Sequence, residues 1–377
     1  MIRWLCVLIV ALLLACGAPP HTRPGDVMQV EAFPGAPDNA VASRILYAST
    51  APDGRPIEVS ALVIVPAAAP PAGGRPILAW LHPTTGVAQG CAPSSGPGPF
   101  AQIQGLPAFL AAGYVIVATD YPGLGAPGIH PYLVGDSEAR AALDSVRATR
   151  NLPQAQASRR FAVWGHSQGG HAALFTASLA AGYAPELQLV GAAAAAPVTD
   201  VAALIERPGN DPLWGGLLSY AVWSWTRAFG LDPSMMVPPS AEVAISATAK
   251  DCLESGRELE RLLADSAPLR GTAVTPDAQW RAVLTENAAQ PGPIGVPVFI
   301  AQGDKDPVIV PSLTEDFVRR LCRERVPVRY LVMPGVDHYT AGVRSAAAAA
   351  AWIADRFAGV GAADDCLPGG VAAQDDR

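Results

Sequence analysis

Gly165-His166-Ser167-Gln168-Gly169 places a serine at the centre of a G-x-S-x-G pentapeptide. The pattern alone arises by chance, so its flanks carry the weight. Residues 161–164 are an apolar run of strand character, and residues 169–181 a small-residue stretch of helical character. Between a strand and a helix, the serine occupies a sharp turn that flanking glycines let the chain make. The helix behind it aims its dipole and free N–H groups at negative charge forming on a carbonyl under attack. A plain glycine-rich turn with a surface serine is the rival reading, and both flanks weigh against it. The chemistry implied is nucleophilic attack by Ser167.

Such a serine needs a base and an orienting acid, in the chain order serine, acid, histidine. Downstream of Ser167 the candidates for the base are His171 and His338. His171 lies within the helix after the serine, where packing or capping is the simpler role. His338 closes Pro334-Gly335-Val336-Asp337-His338, a loop after a strand, and open α/β sheets gather their sites at such strand ends. For the acid, strand-like residues 296–301 lead into Gln302-Gly303-Asp304-Lys305-Asp306. Asp306 is the candidate, Asp304 the near alternative and Asp200 a third. One oxyanion donor is the backbone amide of Gln168. The other belongs to His82-Pro83-Thr84-Thr85-Gly86, after strand-like residues 76–81. Pro83 has no N–H, which leaves Thr84, Thr85 or Gly86, with the Thr85 hydroxyl as a further donor. A simple strand-to-helix loop is the bland reading of the same residues.

The elements that must hold these residues alternate. Strand-like runs at 57–65, 76–81, 114–119, 161–164, 189–196, 296–301 and 328–333 are interleaved with helical patterns at 138–150, 169–181, 312–324 and 345–357. Within 138–150, Ala139, Ala142, Leu143 and Val146 recur at helical spacing, and Pro153 follows. Continuous apolar strands separated by helices predict an α/β fold, a mostly parallel sheet with helices on both faces. The alternation stops across 198–295, which reads as a helical cap or lid insertion. There Trp214, Leu217, Leu218, Ala221, Val222, Trp225 and Phe229 fall on one helical stripe, with Met235 and Met236 following. Such a helix walls an acyl pocket or packs on the core, and the stripe suits both roles. The expected organisation is an export segment 1–16, an N-terminal extension 17–44, core residues 45–197, the insertion 198–295, core residues 296–360 and an Ala/Gly/Asp-rich tail 361–377 that is loose apart from Cys366.

Half of the 377 residues are hydrophobic, which excludes a disordered polar chain. The net charge of −7, with Lys250 and Lys305 the only lysines and the arginines scattered, argues against nucleic-acid binding. The histidines form no H-E-x-x-H pair, and no glycine-rich nucleotide fingerprint follows a strand, so neither metal nor cofactor is implied. Arg3 precedes an apolar run, residues 4–15, that is short for a membrane span and ends Leu13-Leu14-Ala15-Cys16. This reads as an export signal and resembles a bacterial lipobox, with Cys16 lipidated as a membrane tether; ordinary cleavage near residues 15–18 is the alternative. Cys6 falls in the discarded segment. Export makes Cys91, Cys252, Cys322 and Cys366 an even set in an oxidising compartment. The favoured pairings are Cys322–Cys366, pinning the last helix, and Cys91–Cys252, stapling the insertion to the core.

Thr84-Thr85-Gly86 with Cys91-Ala92-Pro93-Ser94, Gly165-His166-Ser167-Gln168-Gly169-Gly170, the Gln302-Gly303 to Asp306 spacing and Asp337-His338 together resemble the secretory lipase family. These are α/β-hydrolases that include fungal lipase A-type enzymes and exported bacterial esterases. The resemblance spans most of the chain, from about Tyr47 to Cys366. It implies the α/β-hydrolase fold, a triad of Ser167, Asp306 and His338, and Thr85 with Gln168 at the oxyanion hole. It also implies two disulfides like the pairings above. This chain departs at His82-Pro83, where relatives often carry His-Gly, and the proline stiffens the turn.

The expected protein is an exported serine esterase or lipase acting on small-molecule or lipid esters, with Trp214, Leu218 and Trp225 at its pocket or lid. An exported peptidase or acyltransferase on the same fold is the enzymatic rival; a peptidase wants a paired-acid grip for a peptide amine, and no convincing one is present. A non-catalytic binding protein is the rival of another class. It tolerates loss of the base or the acid, and both are retained here.

Overall fold

The computed structural model describes residues 23–206, 211–253, 256–290 and 292–366. The expected export segment 1–16, with Cys6 and Cys16, lies outside the described residues. The strands are β1 (Val27–Phe33), β2 (Ala40–Thr50), β3 (Pro56–Pro66), β4 (Arg75–Leu81), β5 (Val115–Thr119), β6 (Ala157–His166), β7 (Gln188–Ala195), β8 (Val298–Gly303) and β9 (Val328–Met333). They form one sheet in the order β1-β2-β3-β5-β4-β6-β7-β8-β9. β1 to β3 pair antiparallel with one another, and β3 pairs antiparallel with β5. Every pairing from β5 through β4, β6, β7 and β8 to β9 is parallel.

The helices are α1 (Pro99–Gln102), α2 (Leu106–Ala111), α3 (Gly135–Asn151), α4 (Gln168–Tyr183), α5 (Val201–Glu206), α6 (Trp214–Phe229), α7 (Glu242–Thr248), α8 (Gly256–Asp265), α9 (Ala278–Glu286), α10 (Pro311–Arg323) and α11 (His338–Ala358). Alternating side chains of the parallel strands enter different cores. Ile77, Ala79 and Leu81 of β4 join residues of α3, α4 and α10, whereas Leu78 and Trp80 join residues of α2 and α11. Both faces are therefore covered, which is why these strands read as continuous apolar runs. A third apolar cluster lies within α5 to α9 and includes Tyr132 and Val134 from the segment after β5.

The parallel register brings the strand ends level. Leu81 pairs with Gly165, His166 with Ala195, and Gly303 with Met333. The segments that follow β4, β6, β8 and β9 thus emerge along one edge of the sheet, where an open α/β sheet builds its site.

Several boundaries differ from the sequence-based expectation. The N-terminal extension is part of the sheet, supplying β1 and the start of β2. The last helix begins at His338 rather than near residue 345, because Asp337 caps it by accepting from the Thr340 amide at 2.9 Å. The start of the tail is held rather than loose. The Asp365 amide donates to the Val328 carbonyl at 2.8 Å, and the Tyr330 amide donates to the Asp365 carboxylate at 2.7 Å. Cys322 and Cys366 are bonded, as are Cys91 and Cys252.

Candidate active site

Ser167 stands alone between β6 and α4, at φ +57° and ψ −118°. This left-handed backbone is strained for any residue but glycine, and it persists because the neighbours fix it. The Ser167 amide donates to the Ala195 carbonyl on β7 at 2.9 Å, and its carbonyl accepts from the His171 amide at 3.0 Å. Gly169 allows the turn to press against β4: a Cβ there would meet the Leu81 carbonyl oxygen at 1.9 Å. No side chain caps α4, so the N–H groups of its first turn remain for another acceptor.

His338 arrives from the N-terminus of α11. Its Nε2 lies 2.9 Å from Ser167 Oγ, and its Nδ1 lies 2.8 Å from Asp306 Oδ2. Asp306 follows β8 and is itself fixed: Oδ1 accepts from the amides of Val308 (2.9 Å) and Ile309 (2.8 Å), and Oδ2 from Gln302 Nε2 (3.1 Å). The three side chains are hydrogen-bonded in series and shielded, with Ser167 9% and His338 7% exposed. The alternatives lie elsewhere. Asp304 accepts from the Gly335 amide in a surface turn, Asp200 accepts from the Ala203 amide at the start of α5, and His171 is paired with Glu138.

His166 fixes the placement of His338. Its Nε2–H donates to the His338 carbonyl at 2.9 Å, with the two rings 4.9 Å apart. Burial, reinforced by the nearby His338, pushes the His166 ring down to about 3. A neutral ring with its proton on Nε2 is the form that makes this bond.

The segment after β4 faces the same edge. The Thr84 hydroxyl and the Tyr132 hydroxyl share a bond of 2.9 Å, and the Thr85 carbonyl accepts from the Leu253 amide at 2.8 Å. With Cys91–Cys252, this ties the segment to the chain that follows α7. Thr85 Oγ1 is buried without a protein partner. Trp214, Leu218 and Trp225 lie in the cluster among α5 to α9. Trp225 Nε1 donates to the Tyr132 carbonyl at 2.6 Å, so one member of the stripe is joined through Tyr132 to Thr84. Phe229, at the end of the stripe, is exposed.

The secretory lipase family matches residues 101–232, the span that includes Ser167 and the start of α4. Over that span the chain is similar to the secretory lipases. Lipase A of Arthroderma benhamiae is 24% identical over 376 residues, covering 92% of this chain and 78% of that protein. A Mycobacterium tuberculosis protein named probable inactive lipase MT1628 is 28% identical over 367 residues, covering 90% of this chain and 80% of its own. The closed-state structure of Candida antarctica lipase A superposes with a TM-score of 0.70 at 19% identity, over 90% of this chain and 83% of that one. The fold is that of the α/β-hydrolases.

The site also has neighbours that its motifs do not announce. Glu138 and His130 bond to Gln168, Tyr132 bonds to Thr84 after β4, and Asn287 bonds to His171 in the first turn of α4. No sequence signal separates Glu138 from Asp136 and Asp144 on the same helix.

Proposed function

We propose that this protein is an exported serine esterase that hydrolyses carboxylic esters, small-molecule or lipid, through an acyl-enzyme on Ser167. The observation that carries this reading is the unbroken series Ser167 Oγ, His338 Nε2, His338 Nδ1, Asp306 Oδ2, with links of 2.9 and 2.8 Å. Ser167 attacks the ester carbonyl as His338 takes its proton, and Asp306 holds the ring and stabilises the imidazolium. The oxyanion is met by the Gln168 amide and by the segment after β4, where the unpartnered Thr85 hydroxyl favours Thr85. His338 then protonates the departing alcohol, and water repeats the sequence on the acyl-enzyme. The two disulfides support an oxidising compartment. The intact hydrogen-bonded series favours catalysis over a binding role, despite the inactive name of one relative. Trp214, Leu218 and Trp225 belong to the cap that shields the site.

The test is a p-nitrophenyl ester series from acetyl to palmitoyl, on wild type and Ser167→Ala. Hydrolysis by the wild type and its loss in the variant are expected. An unchanged rate in Ser167→Ala sinks the assignment, and the position of the maximum along the series separates short-chain esterase from lipase.

A further inference from the structure

Beside the elbow lies a second polar cluster, buried more deeply than the triad. Glu138, His130 and His171 are 0% exposed, and Gln168 is 1% exposed. Gln168 Nε2 donates to Glu138 Oε1 at 2.8 Å and to His130 Nε2 at 3.2 Å. The His130 ring is prepared for this. Its Nδ1–H donates to the Pro122 carbonyl at 2.9 Å, and burial keeps it neutral by pushing it down to about 3, so Nε2 is an acceptor. The other oxygen of Glu138 is hydrogen-bonded to His171 Nδ1 at 2.7 Å, and His171 Nε2 donates to the Asn287 carbonyl at 2.9 Å. One carboxylate from α3 therefore grips two residues in the first turn of α4.

The arrangement answers a conflict at that turn. The usual way to fix a helix start is a capping side chain that accepts from its first N–H groups. At an oxyanion site those groups must stay free, and α4 has no such cap. Ser167 is strained there as well, so its surroundings must hold it. Glu138 fixes the turn through its side chains and leaves its backbone amides unoccupied. Both protons of the Gln168 amide are committed, to Glu138 and His130, which sets the rotation of that residue and with it the direction of its backbone N–H.

We infer that Glu138 is a positioning residue, acting through the Gln168 side chain to aim the Gln168 backbone N–H at the oxyanion. The inference rests on the esterase reading above. It requires that kcat fall while ground-state binding stays, because the donor it aims serves the tetrahedral state.

The experiment is a double-mutant cycle of Glu138→Ala and Gln168→Ala, with Glu138→Gln alongside. It reads kcat and KM on p-nitrophenyl acetate and the Ki of a phenylboronic acid, which forms a tetrahedral adduct on the serine. Glu138→Ala is expected to lower kcat about 10- to 100-fold, as for a misplaced catalytic group. It should weaken the boronic acid in parallel and leave KM within about twofold. The double variant should be no slower than Glu138→Ala, because one path is being cut twice. Glu138→Gln, whose amide oxygen still accepts from Gln168, should recover most of kcat. Wild-type kcat in Glu138→Ala, or losses that multiply in the double variant, would overturn the inference. Where Glu138→Ala does not fold, Gln168→Ala decides, since wild-type kcat there overturns it equally. Ser167→Ala separates the two levels: activity surviving in it defeats the esterase reading itself. An inert Ser167→Ala beside an unimpaired Glu138→Ala defeats the positioning role alone.

Discussion

Ser167 Oγ and His338 Nε2 lie 2.9 Å apart across 171 residues of chain. Ser167 is fixed by the turn between β6 and α4, and His338 by the cap of α11 and by His166, the residue before Ser167 at the end of β6. The end of β6 thus anchors both partners of the contact, which is the preorganisation that a catalytic hydrogen bond needs.

Asp306→Asn should lower kcat by about 10⁴-fold, because an amide facing Nδ1 favours the wrong tautomer of His338. The fold should survive, since Oδ1 still accepts from the amides of Val308 and Ile309. Asp304→Asn should hydrolyse p-nitrophenyl acetate at close to the wild-type rate, as Asp304 serves a surface turn. Equal losses in the two variants would remove Asp306 from the triad.

Gly169→Ala should destabilise by roughly 3 kcal/mol or more, the upper range for overpacking. The added methyl would meet a main-chain carbonyl of β4, which has no flexible end to give way. Urea unfolding measures this, and a midpoint equal to wild type would mean that the turn yields more easily than its contacts imply.

Replacing Cys91 and Cys252 together by serine should cost about 2–5 kcal/mol. The bridge closes a sequence separation of 161 residues and ties the segment after β4 to the chain after α7. Urea titration of the paired variant against wild type gives the loss. No change in midpoint would mean that the Thr85–Leu253 bond and the surrounding packing suffice.

Stability should fall as acid is added below about pH 6.5, the ordinary histidine range. Burial pushes His82 down to about 4, and His130 and His166 to about 3. Between those values and 6.5 the unfolded chain takes up protons that the folded chain refuses. Each ring therefore removes on the order of 1.4 kcal/mol per pH unit as pH drops. Asp120 opposes them, since burial raises its carboxyl to about 6 and the folded state binds that proton first. Burial also raises the Asp144 and Asp251 carboxyls, less strongly than Asp120, and the three rings outweigh them to leave a net loss. A urea midpoint that stays level from pH 7 to 5 would contradict this.

The parts of the site legible in the sequence were those whose constraint is local. Ser167 is marked by glycines within two residues, and His338 and Asp306 by turns directly after apolar strands. The parallel strands were legible because burial on both faces leaves an unbroken apolar run. β1 was not, because its central residues Met28 to Ala32 are exposed and carry no such run. The first turn of α11 was hidden for a related reason: Tyr339 and Val343 are exposed, so the apolar stripe starts late. Glu138 could not be read at all. Its burial depends on Gln168 and His171 from another helix, and the pairing is completed by Asn287, 116 residues beyond His171. A carboxylate's partners are a tertiary fact.

Gly86 makes room for the Cys91–Cys252 bridge. A Cβ at that position would come within 2.6 Å of the Cys91 sulfur, and its φ of +134° already favours glycine. Cys91 Cβ and the Asp251 carbonyl oxygen stand at 3.0 and 3.1 Å from the same point, so the space beside the bridge is closed by backbone as well as by sulfur. Glycine and cystine there share a single volume, and a side chain admitted at position 86 would have to evict half of the bridge.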